Sequence, residues 1–250
     1  MPDRPARPAR RTSSPSTPTL AQVQGKTLRE LAYDELRRAL IAGQFAPGEA
    51  VTIADIANRL KIGVMPAREA VQQLASQGAF EFLANRSVRV PVTGREELDD
   101  LFEARLLVET DLVRRACANR DGFAGDRLGK ALADLEAATS SRDMRASLTA
   151  NYAFHFSIYR AARSPTLAGL AELLWLRMSP LHVAVFRADP DRRGSFFAAL
   201  PAHKDLTGAL TSGNQNSATM IFQAMLVHSR DWHREQFDGD RGLANATADP

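Results

Sequence analysis

From Leu28 the apolar residues fall at helical spacing, with Leu28, Leu31, Ala32, Leu36, Ala39 and Leu40 on one stripe that stops before Gly43. Gln44-Phe45-Ala46-Pro47-Gly48 reads as a turn. A short second helix opens at Thr52, with Asp55 at capping-box spacing, and runs through Ile53, Ile56, Ala57 and Leu60. The third follows within a few residues. Pro66 suits its first turn, where no amide hydrogen is needed, and Ala67, Val71 and Leu74 form its buried stripe up to Gly78. Beyond it, Phe80, Phe82 and Leu83, then Val88, Val90 and Val92, alternate about Ala84-Asn85-Arg86-Ser87, the pattern of a small hairpin with a basic tip.

Three helices and a hairpin make a winged helix-turn-helix, placed at 26–94. From Glu96 to about Phe237 the periodicity is helical throughout, broken near 121–125, 140–143, Ser164-Pro165, 189–194 and 212–216. The expected fold is therefore mainly α, with a winged helix-turn-helix followed by an all-helical bundle at 95–238. Residues 1–25 hold Pro2, Pro5, Pro8, Pro15 and Pro18 among Arg4, Arg7, Arg10 and Arg11, and predict a disordered basic tail. A second tail is expected at 239–250.

Charge sharpens this division. Of 250 residues, those up to position 94 include 13 basic and 8 acidic, and the remainder 19 and 21, so the positive excess sits on the smaller domain. Such an excess suits an anionic partner, phosphate backbone first and acidic lipid second. Cys117 is the only cysteine, which excludes an intramolecular disulfide and a Cys-rich zinc knuckle. Its neighbours Leu112, Val113 and Ala116 place it in a helix interior rather than at a reactive site. No apolar run reaches transmembrane length and the N-terminus has no signal-peptide pattern, so a cytoplasmic protein without a membrane partner is expected.

A recognition helix presents its first turns to base edges while its other face packs. Here Val64, Met65, Arg68 and Gln72 point outward, and Met65, Arg68 and Gln72 share a face. Arg68 has the geometry for a bidentate pair to guanine or an ion pair to phosphate. Thr52, at the head of the second helix, and Arg86 and Arg89, on the hairpin, complete the expected contacts to double-stranded operator DNA.

In the second domain, Leu148, Asn151, Tyr152, His155, Tyr159 and Ala162 share a stripe. His203 shares one with Leu206 and Leu210, and His228 one with Ile221, Ala224, Met225 and Trp232. A single histidine on an apolar stripe reads first as a hydrogen-bonded core residue, but three on separate helices suit a divalent metal, zinc first. His182, close to Pro180, and His233, off the stripe of His228, are left out.

The run Leu36-Arg37-Arg38-Ala39-Leu40-Ile41-Ala42-Gly43-Gln44-Phe45-Ala46-Pro47-Gly48, followed by Pro66-Ala67-Arg68-Glu69-Ala70-Val71-Gln72-Gln73-Leu74, resembles the DNA-binding domain of the GntR family. Relatives usually carry a Ser-Arg-Thr-like triplet where this chain has Gly63-Val64-Met65, so two polar contacts implied by the resemblance are missing while the Arg68 position is kept. Leu101-Phe102-Glu103-Ala104-Arg105-Leu106-Leu107-Val108-Glu109, Phe154-His155, His203 and His228 resemble the FCD ligand-sensing domain of the FadR branch. That resemblance implies a metal held by three histidines and an acidic residue, whose position is Asn151 here. It also implies that Arg105 faces a cavity where it could clamp the carboxylate of a small organic acid; a salt bridge to Glu103 or Glu109 is the other reading. Trp175 and Arg177 fit the pocket or a dimer contact, with core packing favoured for the tryptophan.

Two function classes follow. One is a homodimeric, effector-controlled DNA-binding regulator, repression being the usual outcome in the family, acting on a near-palindromic site. The other is a metal-dependent hydrolase, but the stripes of Asn151, His155, His203 and His228 supply no Asp or Glu as general base, and an enzyme leaves the winged helix unexplained. A metal-free acyl-CoA sensor is disfavoured by the three histidines.

Overall fold

The computed structural model describes residues 25–84, 87–119, 123, 126–188 and 199–239. Helix α1 (Leu28–Ile41) starts at a full capping box, in which Thr27 and Glu30 each satisfy the other's backbone amide. Ala32, Leu36, Ala39, Leu40 and Ile41 are buried, whereas Leu28 (55% exposed) and Leu31 (48%) extend beyond the core, so the expected stripe is too long at its N-terminal end. Next come α2 (Ile53–Leu60) and α3 (Val64–Ser76). Thr52 caps α2, accepting from the Asp55 amide at 3.1 Å and donating to its carboxylate at 2.7 Å. Lys61, in the left-handed region at φ 53°, ends that helix.

The wing holds one strand more than the pattern predicted. Besides β2 (Glu81–Phe82) and β3 (Ser87–Arg89), the segment before α2 forms β1 (Ala50–Thr52), giving an antiparallel sheet in the order β1-β3-β2. Its register pairs Ala50 with Arg89, Val51 with Val88 and Thr52 with Ser87. The Val90 amide donates to the Glu49 carbonyl and the Gly48 amide to the Val90 carbonyl, extending the ladder. Phe80, Val88 and Val90 face the core, while Phe82 stands 49% exposed. Arg86 at the wing tip, the basic tail up to residue 24, the second tail from 240 and the break at 189–194 lie outside the described residues.

The larger domain comprises α4 (Arg95–Ala118), α5 (Arg127–Ser141), α6 (Met144–Ala161), α7 (Pro165–Ala188), α8 (Leu200–Ser212) and α9 (Gln215–Gly239). Phe102, Leu112, Phe154, Tyr159, Leu206 and Phe222 form its centre, with Cys117 buried among them. None of the helices among the described residues is long and apolar enough to cross a membrane. The two domains are not independent bodies. Leu176 of α7 lies in the core of the winged helix, and Arg177 spans the junction, its side chain against Gly78 and its guanidinium 2.5 Å from the Glu97 carboxylate.

Candidate functional site

Helix α3 presents the face that the sequence assigned to DNA. Val64 (47% exposed), Met65 (63%) and Gln72 stand out from the fold, and Arg68 is half-buried. Ala67, Ala70, Val71 and Leu74 hold the opposite face. Gly63 provides no side-chain cap, so first-turn amides remain available to an anion. Among the described residues Arg68 has no ion-pair partner. Arg89 is different, because it sits directly across the ladder from Glu81 and donates to its carboxylate at 2.6 Å. Thr52 is exposed at the head of α2, with its hydroxyl committed to Asp55.

The second site is a cavity of about 350 Å³ enclosed by α4, α6, α7, α8 and α9. Asn151 and His155 from α6, His203 from α8, and Arg105 from α4 all reach it, with Trp175, Phe222 and Trp232 as apolar walls. His203 is fixed by its own helix: Nδ1 donates to the Ala199 carbonyl at 2.8 Å. That bond leaves a lone pair on Nε2, which faces Asn151 Oδ1 at 3.1 Å. Two acceptors that close require either a turned amide or a shared cation. The His155 ring lies 5.4 Å from that of His203, and its Nδ1 is buried without a hydrogen-bond partner. Burial, with His203, Arg105 and His182 adding to it, holds the His155 pKa well below the usual imidazole value. Burial also lowers His203, against the opposing bond to Ala199. Neutral imidazoles are the form that binds metals.

His228 does not complete this cluster in the way its stripe predicted. It lines the cavity, but its side chain is exposed. Among the described residues no three His, Cys, Asp or Glu side chains are grouped to hold one ion. The buried residues of α9 are Ala218, Phe222, Leu226, Trp232 and His233, so of the stripe that carries His228 only Trp232 is buried, while Ile221, Ala224 and Met225 line the cavity with His228. His182 and His233, left out of the expected site, are both buried. His182 continues the buried stripe Ala171, Trp175, Met178 of α7 and lines the cavity, because α7 runs on through Pro180. Its ring meets that of His233 at 4.8 Å and 90°. The Nδ1 of His233 donates to the Ser229 carbonyl at 2.6 Å, its Nε2 has no hydrogen-bond partner, and burial brings its pKa down to about 4.

Arg105 combines the two alternatives left open above. Its Nε donates to Glu109 Oε1 at 2.8 Å and its Nη2 to Oε2 at 3.3 Å, while its guanidinium also lines the cavity, 4.9 Å from the Trp175 ring centroid. The Tyr159 hydroxyl donates to the same carboxylate at 2.6 Å. Burial and then Glu109 raise the Tyr159 pKa well above its usual value, so the phenol remains a donor. Glu103 has no part in this buried pair.

Residues 28–90 match the family of bacterial regulatory proteins called gntR, and residues 100–228 match the FCD domain. The chain is 29% identical over 147 residues to the HTH-type transcriptional regulator McbR of Escherichia coli (strain K12), covering 59% of this chain and 66% of that protein. It is 29% identical over 184 residues to the HTH-type transcriptional repressor GlaR of the same organism, covering 68% and 84%. The solved structure of E. coli McbR/YncC superposes with a TM-score of 0.77 at 22% identity, covering 85% of this chain and all (100%) of the other. A GntR regulator from Rhodococcus sp. RHA1 superposes at 0.68 and 23% identity, covering 85% and 99%. These relatives are transcription regulators rather than enzymes, and the hydrolase alternative gains no support from them. Exposed recognition helix, enclosed helical cavity and matches to both domains agree: the chain belongs to the GntR family of DNA-binding transcription regulators, with an FCD domain as its second half.

Proposed function

We propose that this regulator is a homodimeric repressor whose hold on operator DNA is set by a small carboxylate bound beside a divalent metal in the helical cavity. The observation that carries the cavity half is the opposition of Asn151 Oδ1 and His203 Nε2 at 3.1 Å, a spacing suited to two donors sharing one cation. His155, with its unpartnered buried Nδ1, is the third donor, and His228 at the rim is the fourth. Zinc fits this nitrogen-rich set, with a position left open for the effector carboxylate. The metal would supply the positive charge for that carboxylate, because Arg105 already spends its own on Glu109 and serves as a second, weaker anchor. Repression is favoured by the likeness to GlaR, a transcriptional repressor.

On the DNA side, Arg68 is the direct base or phosphate contact, Val64 and Met65 offer apolar contact to thymine methyls, and Gln72, Thr52, Arg86 and Arg89 are the further contacts. A coupling of about 1–3 kcal/mol between cavity and operator would change DNA affinity several-fold to about a hundredfold. The test is elemental analysis of the purified protein together with a DNA-shift assay on its own upstream region, with and without carboxylic acids. Bound metal and an acid-sensitive shift support the whole reading. A shift with no bound metal removes the metal from it, and metal with no shift defeats the operator assignment.

A further inference from the structure

Two aromatic rings, Trp175 and Tyr152, lie between the cavity and the first helix of the DNA-binding domain. Trp175 lines the cavity, where the His155 ring lies 5.2 Å away. Behind it stands Tyr152, 5.7 Å from Trp175 at 78° and stacked on Phe156 at 4.1 Å. The Tyr152 hydroxyl reaches the boundary between the two domains. It accepts from Arg37 Nη1 of α1 at 3.0 Å and donates to Glu172 Oε1 of α7 at 3.0 Å, and Arg37 is also ion-paired with Glu172. The Arg37 Nε is buried without a hydrogen-bond partner, so this guanidinium depends on the two groups it has. Helix α1 in turn packs on α3, with the Tyr33 hydroxyl donating to Gln77 Oε1 at 3.0 Å.

We propose that Arg37, Tyr152 and Glu172 are the joint through which the state of the cavity reaches the recognition helix; the proposal rests on the effector-controlled DNA binding proposed above. Leu176 in the winged-helix core, Val183 beneath Gly43 and the Arg177 side chain against Gly78 hold the domains together by packing. The joint adds directional hydrogen bonds. The Tyr152 hydroxyl, which accepts from Arg37 and donates to Glu172 at 3.0 Å each, loses both bonds when it withdraws by about 1 Å, because hydrogen bonds fail beyond roughly 3.5 Å. An occupant that presses on Trp175 displaces the edge of Tyr152, withdraws its hydroxyl and leaves Arg37 with Glu172 alone. The device therefore has two arrangements rather than a continuum. By reciprocity, DNA that favours one arrangement must be felt at Trp175.

The chain has two tryptophans, so Trp232→Phe leaves Trp175 as the sole emitter, and the experiment uses the full chain in that background. The first arm needs no ligand. Arg37→Met and Tyr152→Phe should each increase acrylamide quenching of Trp175, whereas Arg38→Met, which removes an exposed arginine paired with Glu35 on its own helix, should not. Unchanged Trp175 quenching in both joint variants, with helical content intact, overturns the proposal. The second arm titrates a duplex selected by the unsubstituted protein from a random pool. Trp175 emission should respond to the duplex, and Tyr152→Phe and Glu172→Gln should lose most of that response while still binding it. A full response in both variants overturns the transmission. Failure to select any duplex defeats the DNA-binding reading instead, and the first arm still decides whether the joint links α1 to the cavity wall.

Discussion

Gly43 lies so close against Val183 that a Cβ at position 43 would fall 2.8 Å from Val183 Cγ2 and 3.1 Å from Leu148 Cδ1. The same residue has φ +70°, which it needs in order to end α1 and turn the chain under the second domain. Gly43→Ala therefore combines left-handed backbone strain with overpacking at the junction. The expected loss is about 2–4 kcal/mol, from roughly 1 for the backbone and 1–3 for the contact. Urea unfolding followed by circular dichroism measures it, and a loss within experimental error would mean that the junction yields freely.

Glu109 is fully buried and is the partner of the buried Arg105. Glu109→Ala leaves an uncompensated cation in the core and should cost about 3–5 kcal/mol. The paired change Arg105→Met with Glu109→Leu should recover most of that, because the charge and its desolvation disappear together. Denaturant midpoints of the three variants test this. A double variant no better than Glu109→Ala would show that Tyr159, which also donates to Glu109, needs its acceptor more than Arg105 needs its anion.

His233 has a pKa of about 4 in the folded chain, against about 6.5 when unfolded. The unfolded state therefore binds the proton first, and stability falls as pH drops from about 6.5 to about 4, then levels off for this group. The full effect is of the order of 3 kcal/mol. His155, His182 and His203 are lowered in the same direction and add to the slope. His233→Phe keeps an aromatic ring between Phe102, His182 and Trp232, so it should flatten the curve between pH 4 and 6.5 without abolishing its slope. Unfolding free energies across that range measure the difference, and parallel curves would relieve His233 of any part in the acid sensitivity.

Arg68→Ala should weaken operator binding by about 1–3 kcal/mol and leave the thermal midpoint nearly unchanged, since Ala67, Val71 and Leu74 rather than Arg68 hold α3 to the fold. Arg89→Ala should cost DNA binding less, because its charge is already shared with Glu81. Binding isotherms at fixed salt compare the two. The reverse order would place the base contact on the wing.

The winged helix was legible because its signals are local: the Thr52 cap, Pro66 in the first turn of α3 and the stripe Ala67, Val71, Leu74 act within a few residues of one another. Strand β1 was not, since three residues have no period to read and are held by β3 some 37 positions away, from Ala50↔Arg89 to Thr52↔Ser87. In α9, Ile221, Met225 and Trp232 are apolar alongside Ala218, Phe222 and Leu226, so the sequence permits two stripe phases; in the fold Ala218, Phe222, Leu226 and Trp232 are buried together with His233, while Ile221, Met225 and the exposed His228 line the cavity. For α7 the buried positions 171, 175, 178 and 182 are regularly spaced, and only the weight given to Pro180 concealed His182. Nothing local indicates that Leu176 completes the core of another domain.

The Asn151–His203 contact admits a decisive substitution. If the amide is turned so that its nitrogen donates to His203 Nε2, the pair is an ordinary hydrogen bond, and Asn151→Asp would replace a donor with an anion facing a lone pair. If the two atoms share a cation, the same change converts a weak neutral ligand into an anionic one and should tighten zinc binding by about tenfold or more. The proposed metal therefore predicts that Asn151→Asp retains more zinc after dialysis against a competing chelator and gains thermal stability when zinc is added. His203→Ala should lose both zinc and the zinc-dependent stabilisation. Metal content by elemental analysis and melting curves with and without zinc follow the two variants. Destabilisation of Asn151→Asp at neutral pH, with no zinc bound, would assign the pair to the hydrogen-bonded core and leave the cavity to bind its effector without a metal.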